Sequence, residues 1–279
     1  MLTGEDLRCP ICLTAFSISE EGHSLVCGKH HVYDVAKQGY VNFFGGNAQK
    51  MYRNSKELFK ARRIIYEAGF FGGLQERMEN LFHDLVSGEK KKILEIGCGE
   101  GTVSSFLAGK YPMHDFLGLD ISRDAIKMAA QLNKKVNWIV GDMCNIPIKD
   151  NRIDCLIDML APANYLEFNR VLKSDAYIIK VVPNSGYLKE IREIVGLKPY
   201  VDKGVEKLFM QHFSLVERET VKYKFKCGML ARKYIYMMTP LANKIPYSKE
   251  LERIETVTVD LDILVGHRKE DNGKWNSQK

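Results

Sequence analysis

Leu94-Glu95-Ile96-Gly97-Cys98-Gly99-Glu100-Gly101 decides how this chain is read. An apolar strand-like run at 93–96 is cut by glycines on alternate positions, and a helical pattern begins at 102. Glycine lets the backbone approach a ligand closely, and the first turn of a helix presents free N–H groups. In a dinucleotide-binding turn, Gly-x-Gly-x-x-Gly, the third glycine falls one residue later. Gly-x-Gly-x-Gly behind an acidic residue suits a ligand with an amino-acid moiety rather than a pyrophosphate. Nineteen residues beyond Gly101, Gly118-Leu119-Asp120 ends the next strand, where a carboxylate can accept both hydroxyls of a ribose. A further strand ends in Gly141-Asp142-Met143, whose acid can meet an adenine amino group.

Outward from this loop the chain alternates strand and helix. Strands are predicted at 93–96, 115–119, 137–140, 154–159 and 176–182, with helices at 102–110, 123–132 and 165–173. That rhythm predicts an α/β domain built on a parallel sheet. Two long alternating strands at 216–227 and 256–265 flank a helix at 229–237 and predict an antiparallel hairpin at one edge. Acid-tipped strand ends in this order are more specific than the glycines alone. The pattern resembles the class I S-adenosylmethionine-dependent methyltransferases, with their Rossmann-like sheet.

The N-terminus carries a second signal. Cys9-Pro-Ile-Cys12 is followed after fourteen residues by Cys27-Gly-Lys-His-His31. Thiolates two residues apart on a tight turn point into one tetrahedral site, and a second sulfur–imidazole pair closes a Cys3His shell around zinc. The imidazole can be His31 or His30, with His23 more remote. Short strands are predicted at 13–16 and 23–26 beside the knuckles. No βαβ pattern surrounds the first pair, so a redox Cys-x-x-Cys is excluded. Four ligands leave no open position, which makes the metal structural.

Composition narrows the class. The 279 residues are 45% hydrophobic and 27% charged, which excludes disordered and low-complexity readings. No apolar run approaches the roughly 18 residues of a membrane span, and the start lacks a signal-peptide pattern. A soluble, cytoplasmic protein with no membrane partner is expected. Seven cysteines, three of them in the first 27 residues, do not resemble a disulfide framework. The net charge of +6 permits a polyanionic partner without requiring one. Residues 47–92 read as helical, with apolar-faced stretches at 58–68 and 74–85. The divisions expected are a zinc-binding domain at 1–46, a helical linker region at 47–92 and a methyltransferase domain at 93–279.

Taken together, the two ends narrow the match. The knuckles lead directly into Asp34-Val-Ala-Lys-Gln-Gly-Tyr-Val-Asn42, and Ala61-Arg-Arg63, Glu67-Ala-Gly69, Ala161-Pro162 and Met238-Thr-Pro240 follow. With the glycine loop, these strings resemble the bacterial 23S ribosomal RNA (guanine-N1) methyltransferases of the RlmA type across nearly the whole chain. The resemblance implies S-adenosylmethionine and Zn2+, a guanine in a 23S rRNA hairpin loop as substrate, and a homodimer. It places zinc on Cys9, Cys12, Cys27 and His31. It places the cofactor on Gly97, Gly99, Glu100 and Gly101 with Asp120 at the ribose, and on side-chain contacts from Phe71 and Tyr187. Tyr187 stands where some members carry His. The turn often written Lys-Pro-Gly-Gly is Lys173-Ser-Asp-Ala176 here.

The chemistry asks little of the protein beyond positioning, because the sulfonium cofactor brings its own electrophile. Guanine N1 must lose a proton, and Asp158 is the only acid near the end of the fourth strand, though a solvated or turn-capping role competes. Leu160 to Pro162 reads as a backbone wall beside the base. Arg53, Lys56, Lys60, Arg62 and Arg63 form one basic cluster, and 218–233, with six basic residues and one acid, forms another. Together they suggest phosphate contacts. Two other classes fit the motifs less completely: a methyltransferase acting on a small molecule, and a catalytically inactive zinc-dependent RNA-binding protein.

Overall fold

The computed structural model describes residues 4–44, 56–201, 204–239 and 246–269. Two sheets are present. Strands β1 (Phe16–Ile18), β2 (Ser24–Cys27) and β3 (Val32–Asp34) form a small antiparallel sheet around the N-terminal cysteines. The large sheet has eight strands: β4 (Tyr40–Asn42), β5 (Lys92–Ile96), β6 (Asp115–Asp120), β7 (Asn137–Val140), β8 (Ile153–Met159), β9 (Leu172–Pro183), β10 (Phe213–Lys226) and β11 (Thr256–Arg268). Their order is β10-β11-β9-β8-β5-β6-β7-β4. All pairs from β9 to β4 are parallel, and β11 runs antiparallel to both neighbours. The chain starts its winding at β5 and proceeds to both sides, so the strand order reverses there and opens a crevice at the carboxyl ends.

Alternation along each strand sends apolar residues to both faces, as a sheet covered on two sides requires. On one face Ile93, Phe116, Trp138, Ile157, Ile179 and Val259 pack under α1 (Lys56–Glu67), α2 (Gly72–Val86), α3 (Thr102–Lys110), α4 (Arg123–Leu132), α6 (Lys189–Ile194) and α8 (Met229–Met237). On the other, Leu94, Ile96, Leu117, Ile139, Leu156 and Ile178 pack with Phe168 of α5 (Tyr165–Val171) and Phe209 of α7 (Val205–His212). The same cluster takes in Leu7, Cys9, Phe16, Leu25, Val41 and Phe43. The cysteine module thus covers part of a sheet face where a doubly wound fold carries helices. β4, inside the segment 1–46, adds a parallel strand beside β7, pairing Val41 with Ile139.

Several expectations shift. The first short strand lies at 16–18 rather than 13–16, because Leu13 adopts φ +62° in the turn of the first knuckle. Helices fill 56–67 and 72–86 of the 47–92 stretch, with residues 47–55 outside the described set and Lys92 opening β5. α5 ends at Val171, two residues early, and β9 starts at Leu172. Lys173 to Ala176 is therefore not a turn: it is the irregular start of a strand whose register with β8 shifts between Ile153 and Cys155. The C-terminal hairpin forms as read, with β10 and β11 paired along their whole length around α8. Among the described residues no helix is long and apolar enough to cross a membrane.

Candidate functional site

The glycine loop joins β5 to α3 with Gly97, Gly99 and Gly101 all at positive φ. The reasons differ from one glycine to the next. A Cβ on Gly97 would lie 2.6 Å from the Ala161 methyl, so this residue holds the loop against the end of β8. A Cβ on Gly101 would lie 2.4 Å from the Trp138 indole and 2.6 Å from Ala129, so it serves packing beneath the loop. Gly99 faces α1, where a Cβ would lie 3.4 Å from the Arg62 guanidinium. Asp120 closes the loop from β6: Gly99 N–H donates to Oδ2 at 2.9 Å and Ser122 N–H to Oδ1 at 2.7 Å. Each oxygen keeps a second lone pair for a ligand. Burial raises the Asp120 carboxyl above its ordinary range.

Two further acids lie under this loop. Glu95 is buried and accepts both the N–H and the hydroxyl of Ser104, at 3.0 and 2.5 Å. Burial pushes it up to about 7. Glu100 is also buried, and its Oε2 has no hydrogen-bond partner among the described residues, only the Arg62 Nε at 3.7 Å. Phe71, Arg62, Glu95, Cys98 and Glu100 line one small recess. Phe71 and Arg62 also border a cavity of about 730 Å³, with Leu160, Ala161, Pro162, Lys180 and Tyr187. Phe71 and Tyr187 therefore share one cleft, and Phe71 also borders the recess that takes in Cys98 and Glu100 of the loop. Asp142 and Met143 border neither space. Gly141 N–H donates to the Asp120 carbonyl at 3.0 Å, which sets Asp142 beside the acid end of β6, and its own Oδ1 accepts Cys144 N–H at 2.8 Å.

Asp158 is fully buried, which overturns the solvated reading. Its Oδ2 accepts from Lys180 Nζ at 2.6 Å, and Lys180 also donates to the Ala161 carbonyl at 2.7 Å. Burial pushes Asp158 up to about 7 against the opposing pull of Lys180.

The first basic cluster is reassigned in part. Arg62 lies over the loop, and Arg63 donates to the Glu100 and Met128 carbonyls at 3.1 and 3.3 Å. Lys56 and Lys60 are exposed, and Arg53 lies outside the described residues. In the second cluster Arg218 pairs with Asp262 at 2.7 Å and Lys222 with Asp260 at 2.9 Å. Lys224 and Lys226 are exposed on β10. No sequence signal pointed to Arg62 as a loop residue, because the contact depends on how α1 docks.

At the N-terminus, one ligand atom each from Cys9, Cys12, Cys27 and His31 falls within 4.8 Å of all the others. Cys12 and Cys27 Sγ are 3.4 Å apart, and His31 Nδ1 lies 3.3 Å from Cys27 and 3.6 Å from Cys9. Tetrahedral zinc, with bonds of about 2.0–2.3 Å, fits within such a set. His31 N–H donates to Cys27 Sγ at 3.2 Å, and the Thr14 hydroxyl contacts Cys12 Sγ at 3.2 Å. Thr14 holds the Cys12 thiol down at about 5, in the form that binds metal. His30 takes φ +60° in the knuckle turn and is exposed, as is His23, so neither joins the set.

Comparison with known proteins bears on both centres. Residues 7–50 match the family model described as RlmA, N-terminal, and residues 93–181 match one described as Methyltransferase domain. YxjB of Bacillus subtilis (strain 168), provisionally named a 23S rRNA (guanine-N(1)-)-methyltransferase, is 34% identical over 93% of this chain and 96% of its own. This chain belongs to the 23S rRNA (guanine-N(1)-)-methyltransferase family. A Streptomyces fradiae member named 23S rRNA (guanine(748)-N(1))-methyltransferase is 26% identical over 93% of this chain and 95% of its own. A chain from the solved complex of the Haloferax volcanii Trm112 methyltransferase activator with a provisionally named methyltransferase superposes with a TM-score of 0.52. It is 16% identical and covers 78% of this chain and 100% of that one, a likeness of fold alone.

The family's cofactors are S-adenosylmethionine and zinc, and the residues present fit both. Three acids, Glu95, Glu100 and Asp120, act on Arg62 beside the loop, while Arg63 is engaged with the Glu100 and Met128 carbonyls. That acidic surrounding suits a ligand bearing a sulfonium and an ammonium, and Glu100 Oε2 has no hydrogen-bond partner among the described residues.

Proposed function

We propose that this chain methylates N1 of a guanine in a hairpin loop of 23S ribosomal RNA. The observation that carries the reading is the cavity of about 730 Å³ that opens beside the glycine loop, walled by Leu160, Ala161 and Pro162. It has room for a purine splayed out of a loop. S-adenosylmethionine supplies the methyl group as an activated sulfonium. Gly97, Gly99, Glu100, Gly101 and Asp120 would hold it, with Phe71 and Tyr187 along the cleft and Asp142 and Met143 at the adenine end. The segment at 1–46 would serve as the zinc-binding domain, 47–92 as a helical region over the cofactor loop, and 93–279 as the methyltransferase domain. Exposed Lys56, Lys60, Lys224 and Lys226 would meet phosphates. A homodimer acting in the cytoplasm completes the proposal: the resemblance suggests the dimer, and the family's ribosomal RNA substrate supports the compartment.

The test is mass mapping of the hairpin loop in rRNA treated with protein and cofactor. A gain of one methyl on guanine N1 is expected. No added methyl on the RNA, with transfer to small molecules instead, would overturn the reading.

A further inference from the structure

Lys180 occupies an unusual position for a charged side chain. It is 4% exposed, sits mid-sheet on β9, and faces Asp158 across the parallel pairing of β8 and β9. Asp158 in turn pairs with Ile96, the residue before Gly97. The two charges thus lie at the carboxyl end of the strands that carry the cofactor loop. A buried pair of this kind is weak evidence for stability, because desolvating both ions offsets most of their attraction. Its geometry points elsewhere. An ammonium has three hydrogens. Two go to Asp158 Oδ2 and the Ala161 carbonyl, and Lys180 borders the cavity. Tyr165 borders the same cavity, and its buried hydroxyl has no hydrogen-bond partner among the described residues.

We infer that Lys180 is a catalytic residue that donates its third hydrogen to O6 of the bound guanine, with Asp158 as the positioning residue that holds it there. The inference rests on the guanine-N1 reading and names the group that reads the base. As N1 loses its proton, the electron pair spreads onto O6, and an ammonium fixed in place by two hydrogen bonds stabilises that charge. The N1 lone pair forms the bond to the methyl carbon, and the pair of the breaking C–S bond returns to sulfur. The N1 proton passes to water in the open cavity, and Lys180 keeps all of its own.

The other titratable groups near Lys180 do not reproduce this behaviour. Arg62, Arg192 and Tyr200 border the same cavity. Burial raises Tyr165 and Tyr187 above the ordinary phenol value, and it lowers His212, which packs on Tyr165 at 5.2 Å. On β11, Lys180 faces the apolar Leu264, and Asp262 is engaged by Arg218, Thr220 and Asn184.

The test compares wild type, Lys180→Met and Lys180→Met/Asp158→Asn on the same hairpin RNA, with turnover followed from neutral to alkaline pH. The double variant removes both charges, so no lone carboxylate is left buried. Cofactor affinity by calorimetry and RNA affinity by filter binding are expected to stay within a few-fold of wild type. Turnover near neutral pH is expected to fall ~100-fold, the scale of losing one donor to a developing oxyanion. It should recover steeply as pH approaches the ionisation of guanine N1 itself, because the base then supplies the anion without help. A purely structural role gives no such recovery. Turnover within a few-fold of wild type, or a loss equal at every pH, overturns the inference while leaving guanine-N1 methylation intact. Transfer by wild type to a base other than guanine overturns both.

Discussion

Asp120 Oδ2 accepts the Gly99 N–H at 2.9 Å, so the acid that ends β6 clamps the middle of the loop that ends β5. The same carboxylate takes Ser122 N–H at the start of α4. Asp120→Ala removes an ionised acceptor from two backbone donors at once. Bonds of this kind contribute about 1.5–3 kcal/mol, so cofactor affinity should weaken by ~10–100-fold. Calorimetric titration with S-adenosylmethionine checks this, and an unchanged affinity would contradict the clamp.

Gly101 is constrained by packing beneath the loop as well. Gly101→Ala combines a left-handed backbone at φ +77° with a Cβ 2.4 Å from Trp138. Backbone strain and overpacking together should cost at least about 2 kcal/mol. Urea unfolding of the cofactor-free protein measures it, and loss below half that figure would mean the indole moves aside freely.

Glu95 predicts a pH dependence with a definite sign. Burial raises its carboxyl from 4.5 to about 7, so between those values the folded protein binds more protons than the unfolded one. Stability from this group is fully present below 4.5 and is lost as pH rises through about 7. Glu95→Gln keeps an acceptor for Ser104 and removes the ionisation. Its gain over wild type should be absent near the lower value and grow to on the order of 2–3 kcal/mol above the upper one. Paired thermal melts across that range decide it; a constant offset would refute the assignment.

Arg62 and the β10 lysines should separate cofactor binding from RNA binding. Arg62→Met is expected to weaken cofactor binding by about 10-fold, the scale of a charge-assisted contact, and to leave the salt dependence of RNA binding unchanged. Lys224→Ala/Lys226→Ala should reduce that salt slope by about 2 with cofactor affinity intact. Lys222→Ala, already paired with Asp260, should change the slope less. Equal effects of all three on RNA would restore Arg62 to the RNA-facing surface.

The first cysteine knuckle ties into the connection between β7 and β8 as well as into the small sheet. Leu7 bridges to Ile148, Arg8 N–H donates to the Pro147 carbonyl at 3.2 Å, and the Asn145 side chain donates to Pro10 O at 2.9 Å. Cys27→Ser is therefore expected to release the metal and also to speed hydrogen exchange at Ile146 and Ile148. Stoichiometric zinc in this variant, or exchange confined to the first 44 residues, would argue against that coupling.

What the sequence disclosed follows from the range of the forces involved. The cysteine spacing is dictated by chelation within a few residues, and the structure brings Cys9, Cys12, Cys27 and His31 to one point. Strand–helix alternation is local too, and it returned the sheet and its antiparallel edge. Arg62 was misplaced because helical periodicity says nothing about which neighbour a polar face meets. The spacing of Gly101 speaks of ligand approach, and only the structure adds the packing constraint from Trp138, thirty-seven residues away. Lys180 escaped notice because a lysine in an apolar strand looks like an interruption until its cross-strand partner is known.

The parallel pairing of β4 with β7 also sets an order of events during synthesis. The cysteine knuckles leave the ribosome before β7 does and can close on their metal at once. The strand that β4 must meet emerges about a hundred residues later. Until then Leu7, Phe16, Leu25 and Val41 have no sheet to lie against. The knuckle can thus be complete before the burial it serves, and β4 is at hand when β7 is made.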